Sequence, residues 1–157
     1  MTRERSEYRT TQLHDLAKVD PTALARPADV SASDLAVLML DAYRGTTDDE
    51  GEDLADAREA IDHYLDTMVA DASFVVTDAG RPVAFSFVVV VDGRRYIDPV
   101  VVASDRKRRG VGRSAVIASL QALATDGVTE VGATITDGNV PSERLFASLG
   151  FVRVGSW

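Results

Sequence analysis

Three apolar runs, residues 74–77, 83–91 and 95–103, constrain this chain most, because the last leads directly into a basic glycine turn and then a helix. All three are rich in valine and phenylalanine, the residues that suit a pleated, half-buried surface. Asp78-Ala79-Gly80 and Asp92-Gly93 separate them, and Asp-Gly between apolar runs is a strong hairpin signal. The spacing predicts an antiparallel meander with a long, largely buried middle strand.

On the N-terminal side the periodicity is helical. Ser31 precedes Leu35, Leu38, Met39 and Ala42, with Asp34 three residues after the candidate cap, which predicts a helix ending near Gly45. Leu54, Ala57, Ile61, Tyr64, Leu65 and Met68 mark one face of a second helix. Residues 22–26 read as a short strand and residues 1–6 as a loose terminus without chemistry. Beyond the meander, Val116, Leu120 and Leu123 stripe a third helix that ends near Gly127, and residues 130–136 read as the next strand. Asp137-Gly138-Asn139 turns the chain, Pro141 opens a short helix, Gly150 caps it, and residues 151–154 form a last strand.

The 157 residues, 45% of them hydrophobic, suit one domain spanning 1–157. No run approaches the roughly 18 apolar residues of a membrane span, and the polar start does not read as a secretory signal, so the expectation is a soluble cytoplasmic protein without membrane partners. The absence of cysteine removes disulfides, thiolate metal sites and a covalent acyl-cysteine. His14 and His63 are isolated, and no metal is expected. A net charge of −8 argues against nucleic acid as a partner. Charge is nonetheless segregated: Arg106, Lys107, Arg108, Arg109 and Arg113 supply five of the 17 Lys and Arg residues, while residues 48–66 hold nine acids. Two patches of opposite sign suggest two different ligands.

The basic patch carries the more specific signal. A glycine turn between strand and helix presents unpaired helix N–H groups to an anion. In Lys107-Arg108-Arg109-Gly110-Val111-Gly112 the glycines remove side chains where backbone must approach a ligand, and the cations suit a diphosphate. Gly110-Val111-Gly112-Arg113-Ser114-Ala115 also fits a dinucleotide fingerprint, but the motif follows an antiparallel meander and only 45 residues remain after Gly112. Repeated parallel strand-helix-strand units have no room there.

With Lys107, Gly110 and Gly112 at the spacing of its first signature, the sequence resembles the GCN5-related N-acetyltransferase (GNAT) family; Lys107 stands where Gln or Arg is usual. Asn139, Leu145, Gly150 and Phe151 match the second signature, a turn asparagine followed eleven and twelve residues later by Gly-Phe. The resemblance runs from about residue 31 to the end. It implies an α+β fold: a mixed, mainly antiparallel sheet flanked by helices, its central strands splayed into a slot for acetyl-CoA. It further implies that amides and cations of Lys107, Arg108, Arg109, Gly110, Val111, Gly112 and Arg113 cradle the diphosphate. The backbone of Val100, Val101 and Val102 would pair with the pantetheine arm. An N–H near Val102 would polarise the thioester carbonyl, with Asn139 and Phe146 contacting the coenzyme from the far side. Where the family often has a tyrosine acid, seven residues after the asparagine, this chain has Phe146.

The implied reaction is direct acetyl transfer to a primary amine within a ternary complex. Deprotonating an alkylammonium costs roughly 4 to 5 kcal/mol at pH 7, so a base or water relay is required. Asp98 and Tyr96, on one face of the strand by the period of two, are the candidates. Tyr43, Asp48, Asp49 and Glu50, before and within the helix-to-helix loop, are candidate acceptor contacts, because acids attract a cationic amine. The rival from another class is a non-catalytic acyl-CoA sensor, which Phe146 supports. The acceptor's identity and the oligomeric state, monomer or homodimer, stay open.

Overall fold

In the computed structural model, which describes residues 3–14 and 16–157, the meander forms as expected: β3 (Phe74–Asp78), β4 (Arg81–Val91) and β5 (Arg94–Val102) pair antiparallel in sequence order. At both hairpins the central residues take positive φ, Ala79 and Gly80 at 50° and 80°, Asp92 and Gly93 at 51° and 76°. That is the conformation a tight two-residue hairpin turn needs to match strand twist.

Helices α1 (Ala32–Tyr43) and α2 (Leu54–Thr67) precede the meander. The Ser31 hydroxyl accepts from Asp34 N as expected, and α2 opens with a reciprocal Asp53/Asp56 capping box. Then come α3 (Val111–Thr125), β6 (Val131–Thr136), α4 (Val140–Ser148) and β7 (Val152–Ser156). Ahead of α1 lie β1 (Arg5–Thr10) and the two-residue β2 (Leu24–Ala25), a shorter strand than residues 22–26 suggested. The seven strands order β2-β3-β4-β5-β6-β1-β7, and every pairing is antiparallel except β5 with β6.

Strand β1 overturns the expectation of a loose terminus. Met1 and Thr2 lie outside the described residues, but Arg5 and Ser6 are in register with Thr136 and Ile135 of β6, and β7 pairs on the other side. The strand hides from sequence because what it buries is polar: Ser6, Arg9 and Thr10 are at most 8% exposed. Ser6 donates to Asp137 at 2.6 Å, and Arg9 bonds Glu7, Glu130 and Tyr96, so buried polar groups find partners.

The core divides between the two sheet faces. Leu35 and Met39 of α1 and Ile61 of α2 bury against Val75, Phe85, Phe87 and Val101. Val116, Leu120 and Leu123 of α3 bury with Val88, Ile97, Ile135 and Phe146. No helix among the described residues is long and apolar enough to cross a membrane.

Candidate active site

Two departures from a regular sheet build the site. The first is the short parallel pairing of β5 with β6, which holds only at Tyr96↔Gly132 and Ile97↔Ala133; past that point the strands part. The second is a bulge, because Ser86 opposes Val100 and Val88 opposes Ile97, so Asp98 and Pro99 together face Phe87. An extra residue flips the alternation of side chains. Ile97 and Val100 therefore both lie with the α3 face, while Asp98 turns toward α1 and α2.

The bulge leaves β5 backbone groups for a ligand. Ala103 N donates to Val83 O at 2.8 Å, and antiparallel alternation then directs Val101 toward β4 and the amides of Val100 and Val102 the other way. There β6 has already diverged. The resulting cleft, about 420 Å³, has Asp98, Pro99 and Val100 on one wall and Thr134, Ile135, Thr136, Asn139 and Phe146 on the other.

Just past the end of β5 lies the glycine turn. Gly110 is the N-cap of α3 at φ 78° and carries no side-chain cap, so the N–H groups of Val111, Gly112 and Arg113 open the helix without a side-chain acceptor. Arg108 and Arg109 make no ion pair among the described residues. An anion fits this cradle. The other cations are engaged: Arg106 with Asp78 and Asp105, Lys107 with the Ala42 carbonyl, and Arg113 with Ser148. Gly112 has a packing reason beside the one expected, since a Cβ there would lie 2.7 Å from Val102 Cγ2. Its smallness lets α3 close on β5.

The cleft also gathers Tyr43 from α1, Tyr64 from α2, Asp98 from β5, and Arg3 and Arg5 from the N-terminal segment. Asp98 Oδ1 is 3.6 Å from Arg5 Nη2, with 28% of its side chain open. Desolvation raises its pKa, outweighing the Arg5 charge and hydrogen bond that lower it. Burial, and then the Asp98 charge, push Tyr43 well above the ordinary phenol value and Tyr64 to about 12. Both hydroxyls stay protonated through neutral pH.

The acids of the helix-to-helix loop divide. Asp48, Glu50 and Glu52 line the cleft. Asp49 accepts from the amides of Gly45 and Gly51, which lowers its pKa, and Asp53 caps α2; both shape the loop. Asp48 spans the cleft, accepting from Thr136 Oγ1 at 2.7 Å and Asn139 Nδ2 at 3.0 Å. Asn139 Oδ1 caps α4 through Ser142 N, so its amide is used at both ends. Phe146 is 4% exposed, stacks edge-on to Phe151, and shows its remaining edge to the cleft.

Tyr96 and Asp98 share a face, but only Asp98 reaches the cleft. Tyr96 packs over Gly132 and against Trp157, and its hydroxyl accepts from Arg9. Sequence reasoning missed Tyr64, taken only as a stripe residue, and missed Arg5, the first residue of β1, and Arg3 just before it. The available signal was two arginines two apart in an acidic chain.

A family model described as Acetyltransferase (GNAT) family matches residues 35–151. None of the curated proteins matches the sequence. Among solved structures, an acetyltransferase from the GNAT family of Colwellia psychrerythraea superposes with a TM-score of 0.70 at 15% identity, over 99% of this chain and 54% of that one. The ribosomal-protein-S18-alanine N-acetyltransferase of Escherichia coli gives 0.63 at 19% identity, over 83% and 77%. An aminoglycoside antibiotic 6'-N-acetyltransferase of Acinetobacter haemolyticus gives 0.63 at 15%, over 82% and 90%. Likeness at such identities is one of fold. The chain spans 61%, 48% and 49% of three further solved chains that it resembles.

Proposed function

The chain belongs to the GNAT acetyltransferase family, and from that premise we propose that it transfers an acetyl group from acetyl-CoA to a primary amine by direct attack within a ternary complex. The observation that carries this reading is the placement of a partly desolvated carboxylate, Asp98, where a strand pair parts and the outward amides belong to Val100 and Val102.

In this scheme the coenzyme supplies the activated thioester, and the protein's residues bind, orient and move protons. The amides of Val111, Gly112 and Arg113, with the Arg108 and Arg109 guanidinium groups, hold the diphosphate. The β5 edge at Val100 and Val102 pairs with the pantetheine arm, and the Val102 N–H donates to the carbonyl oxygen on which charge develops. Asp98 accepts the ammonium proton, directly or through one water, so that the nitrogen lone pair can form the N–C bond as the C–S bond breaks. Asp48, Glu50 and Glu52 favour a cationic acceptor at the entrance. Phe146 offers no hydroxyl, yet a thiol of pKa about 8.5 departs tolerably as thiolate. The thiolate takes its proton from solvent, since Tyr64, protonated up to about 12, is too weak an acid to drive that step.

Phe146 also favours a second reading, a non-catalytic sensor that binds acetyl-CoA without turnover. Thiol release from acetyl-CoA across a panel of amines separates the two. Amine-dependent release establishes the transferase; calorimetric binding of acetyl-CoA with no release for any amine establishes the sensor.

A further inference from the structure

Two guanidinium groups enter the cleft, and the acetyl-transfer scheme uses neither. Arg5 Nη2 donates to Thr134 O at 3.0 Å and lies 3.6 Å from Asp98 Oδ1, while its Nε is buried without a partner among the described residues. Arg3 Nη2 donates to Asp49 O at 2.6 Å, and its Nη1 is likewise buried without a partner among the described residues. Both side chains line the same cleft as Asp98, Tyr43 and Tyr64. A guanidinium stays charged at any working pH and presents a planar fork of donors matched to an oxyanion. The buried Nε and Nη1 atoms face protein; what the cleft meets is the rest of each guanidinium, with Arg5 Nη2 beside Asp98.

Sign and spacing limit what that ligand can be. Asp98 attracts an ammonium, and within 3.6 Å of it Arg5 attracts an anion. An α-amino acid carries its amine and its carboxylate on one carbon, opposite charges two bonds apart. A polyamine would instead set a second cation against Arg5, a like-charge contact that selects against it. Resting on the acetyl-transfer reading above, we infer that the acceptor is an amine with a carboxylate on the adjacent carbon, the α-amino-acid pattern. Arg5 is the carboxylate clamp and Arg3 its second donor.

The test measures thiol release from acetyl-CoA with the common α-amino acids, their carboxamides, the matching decarboxylated amines and aminomethylphosphonate. Wild type and Arg5→Gln are compared, with acetyl-CoA affinity by calorimetry as the check on folding. The expected result is a wild-type preference for an amino acid over its carboxamide and its decarboxylated amine. In Arg5→Gln the ratio of kcat/KM between amino acid and decarboxylated amine falls about 10- to 100-fold, as for loss of a charge-assisted hydrogen-bonded pair, and the fall resides mainly in KM. Because loss of Arg5 also alters Asp98, and does so for every acceptor, the ratio isolates the clamp. Equal loss for both substrates, a preference for decarboxylated amines, or a preference for the phosphonate overturns the inference and leaves acetyl transfer standing. Acetyl-CoA binding without release for any amine overturns both. If Arg5→Gln does not fold, the wild-type preference between amino acid and carboxamide decides alone.

Discussion

The Lys107 ammonium lies 3.1 Å from the Ala42 carbonyl oxygen, in the last turn of α1, where carbonyls lack intrahelical partners and a cation is favoured. Asp41 reinforces the tie by accepting from the amide and the hydroxyl of Ser104, both at 2.8 Å. The first residue of the glycine turn thus anchors the helix that carries Tyr43, and the residues left for an anion are Arg108 and Arg109. Lys107→Met is expected to lower stability by about 1 kcal/mol while changing acetyl-CoA affinity less than about threefold. Arg108→Ala with Arg109→Ala does the reverse, weakening acetyl-CoA about tenfold or more with little change in Tm. Calorimetry and thermal melts on both variants decide, and the opposite pattern would return Lys107 to the diphosphate.

Gly112 and Val102 form a packing pair across the α3–β5 contact, with 2.7 Å between a would-be Cβ and Val102 Cγ2. Helix propensity alone would make Gly112→Ala stabilising by roughly 1 kcal/mol. The contact predicts a loss of about 1 to 3 kcal/mol from overpacking instead. Adding Val102→Ala should restore most of it, a non-additivity of at least about 1 kcal/mol in denaturant unfolding. Additive effects would show that the glycine is required by something other than Val102.

How far the sequence disclosed this architecture follows from which interactions are local. The Asp92-Gly93 hairpin, the Ser31 cap and the α3 stripe are written in neighbouring residues, and each appears where expected. Strand β1 is not, because Arg9 is satisfied by Tyr96 and Glu130, partners that only the folded sheet brings near. Arg5 at the cleft was lost with it. The bulge at Asp98 and Pro99 defeats a strict period of two: Tyr96 and Asp98 do share a face, yet Val100 does not. In the acidic loop, identical charges conceal different duties. Asp49 and Asp53 are consumed by backbone amides, and Glu52 lines the cleft while also accepting from Glu50 N, whereas Asp48 and Glu50 face the cleft.

Asp98 carries a stability cost that pH exposes. Desolvation raises its pKa above the ordinary carboxylate value despite Arg5, so the folded state holds the proton more tightly than the unfolded chain. Stability from that proton is present below the unfolded pKa and is lost as pH rises through the raised folded value. At neutral pH the carboxylate is therefore ionised at a cost, and Asp98→Asn should raise Tm at pH 7. The gain should shrink as pH falls and vanish below about pH 3, where the carboxyl is protonated in both states. A lower Tm for Asp98→Asn at pH 7 would mean that the Arg5 pairing outweighs the burial.

The same substitution should damage transfer, and the pH profile shows how. With Asp98 as proton acceptor and the amine as nucleophile, kcat/KM rises toward alkaline pH as both lose protons. A fall near pH 10 would require an essential phenol of ordinary pKa. Phe146 supplies none, and Tyr64 is held protonated up to about 12 with Tyr43 also raised, so no phenol should turn the alkaline limb down through pH 10. Asp98→Asn should lower turnover by about 10²-fold, the low end for a positioned base, and move the rise to higher pH. Phe146→Tyr adds a hydroxyl at the cleft wall and should raise turnover modestly. Because no cysteine is present to carry the acyl group, double-reciprocal plots should intersect. Parallel plots or a trapped acyl-protein would sink direct transfer, and an unchanged pH profile in Asp98→Asn would move the proton to a water held by Asp48 or Glu50.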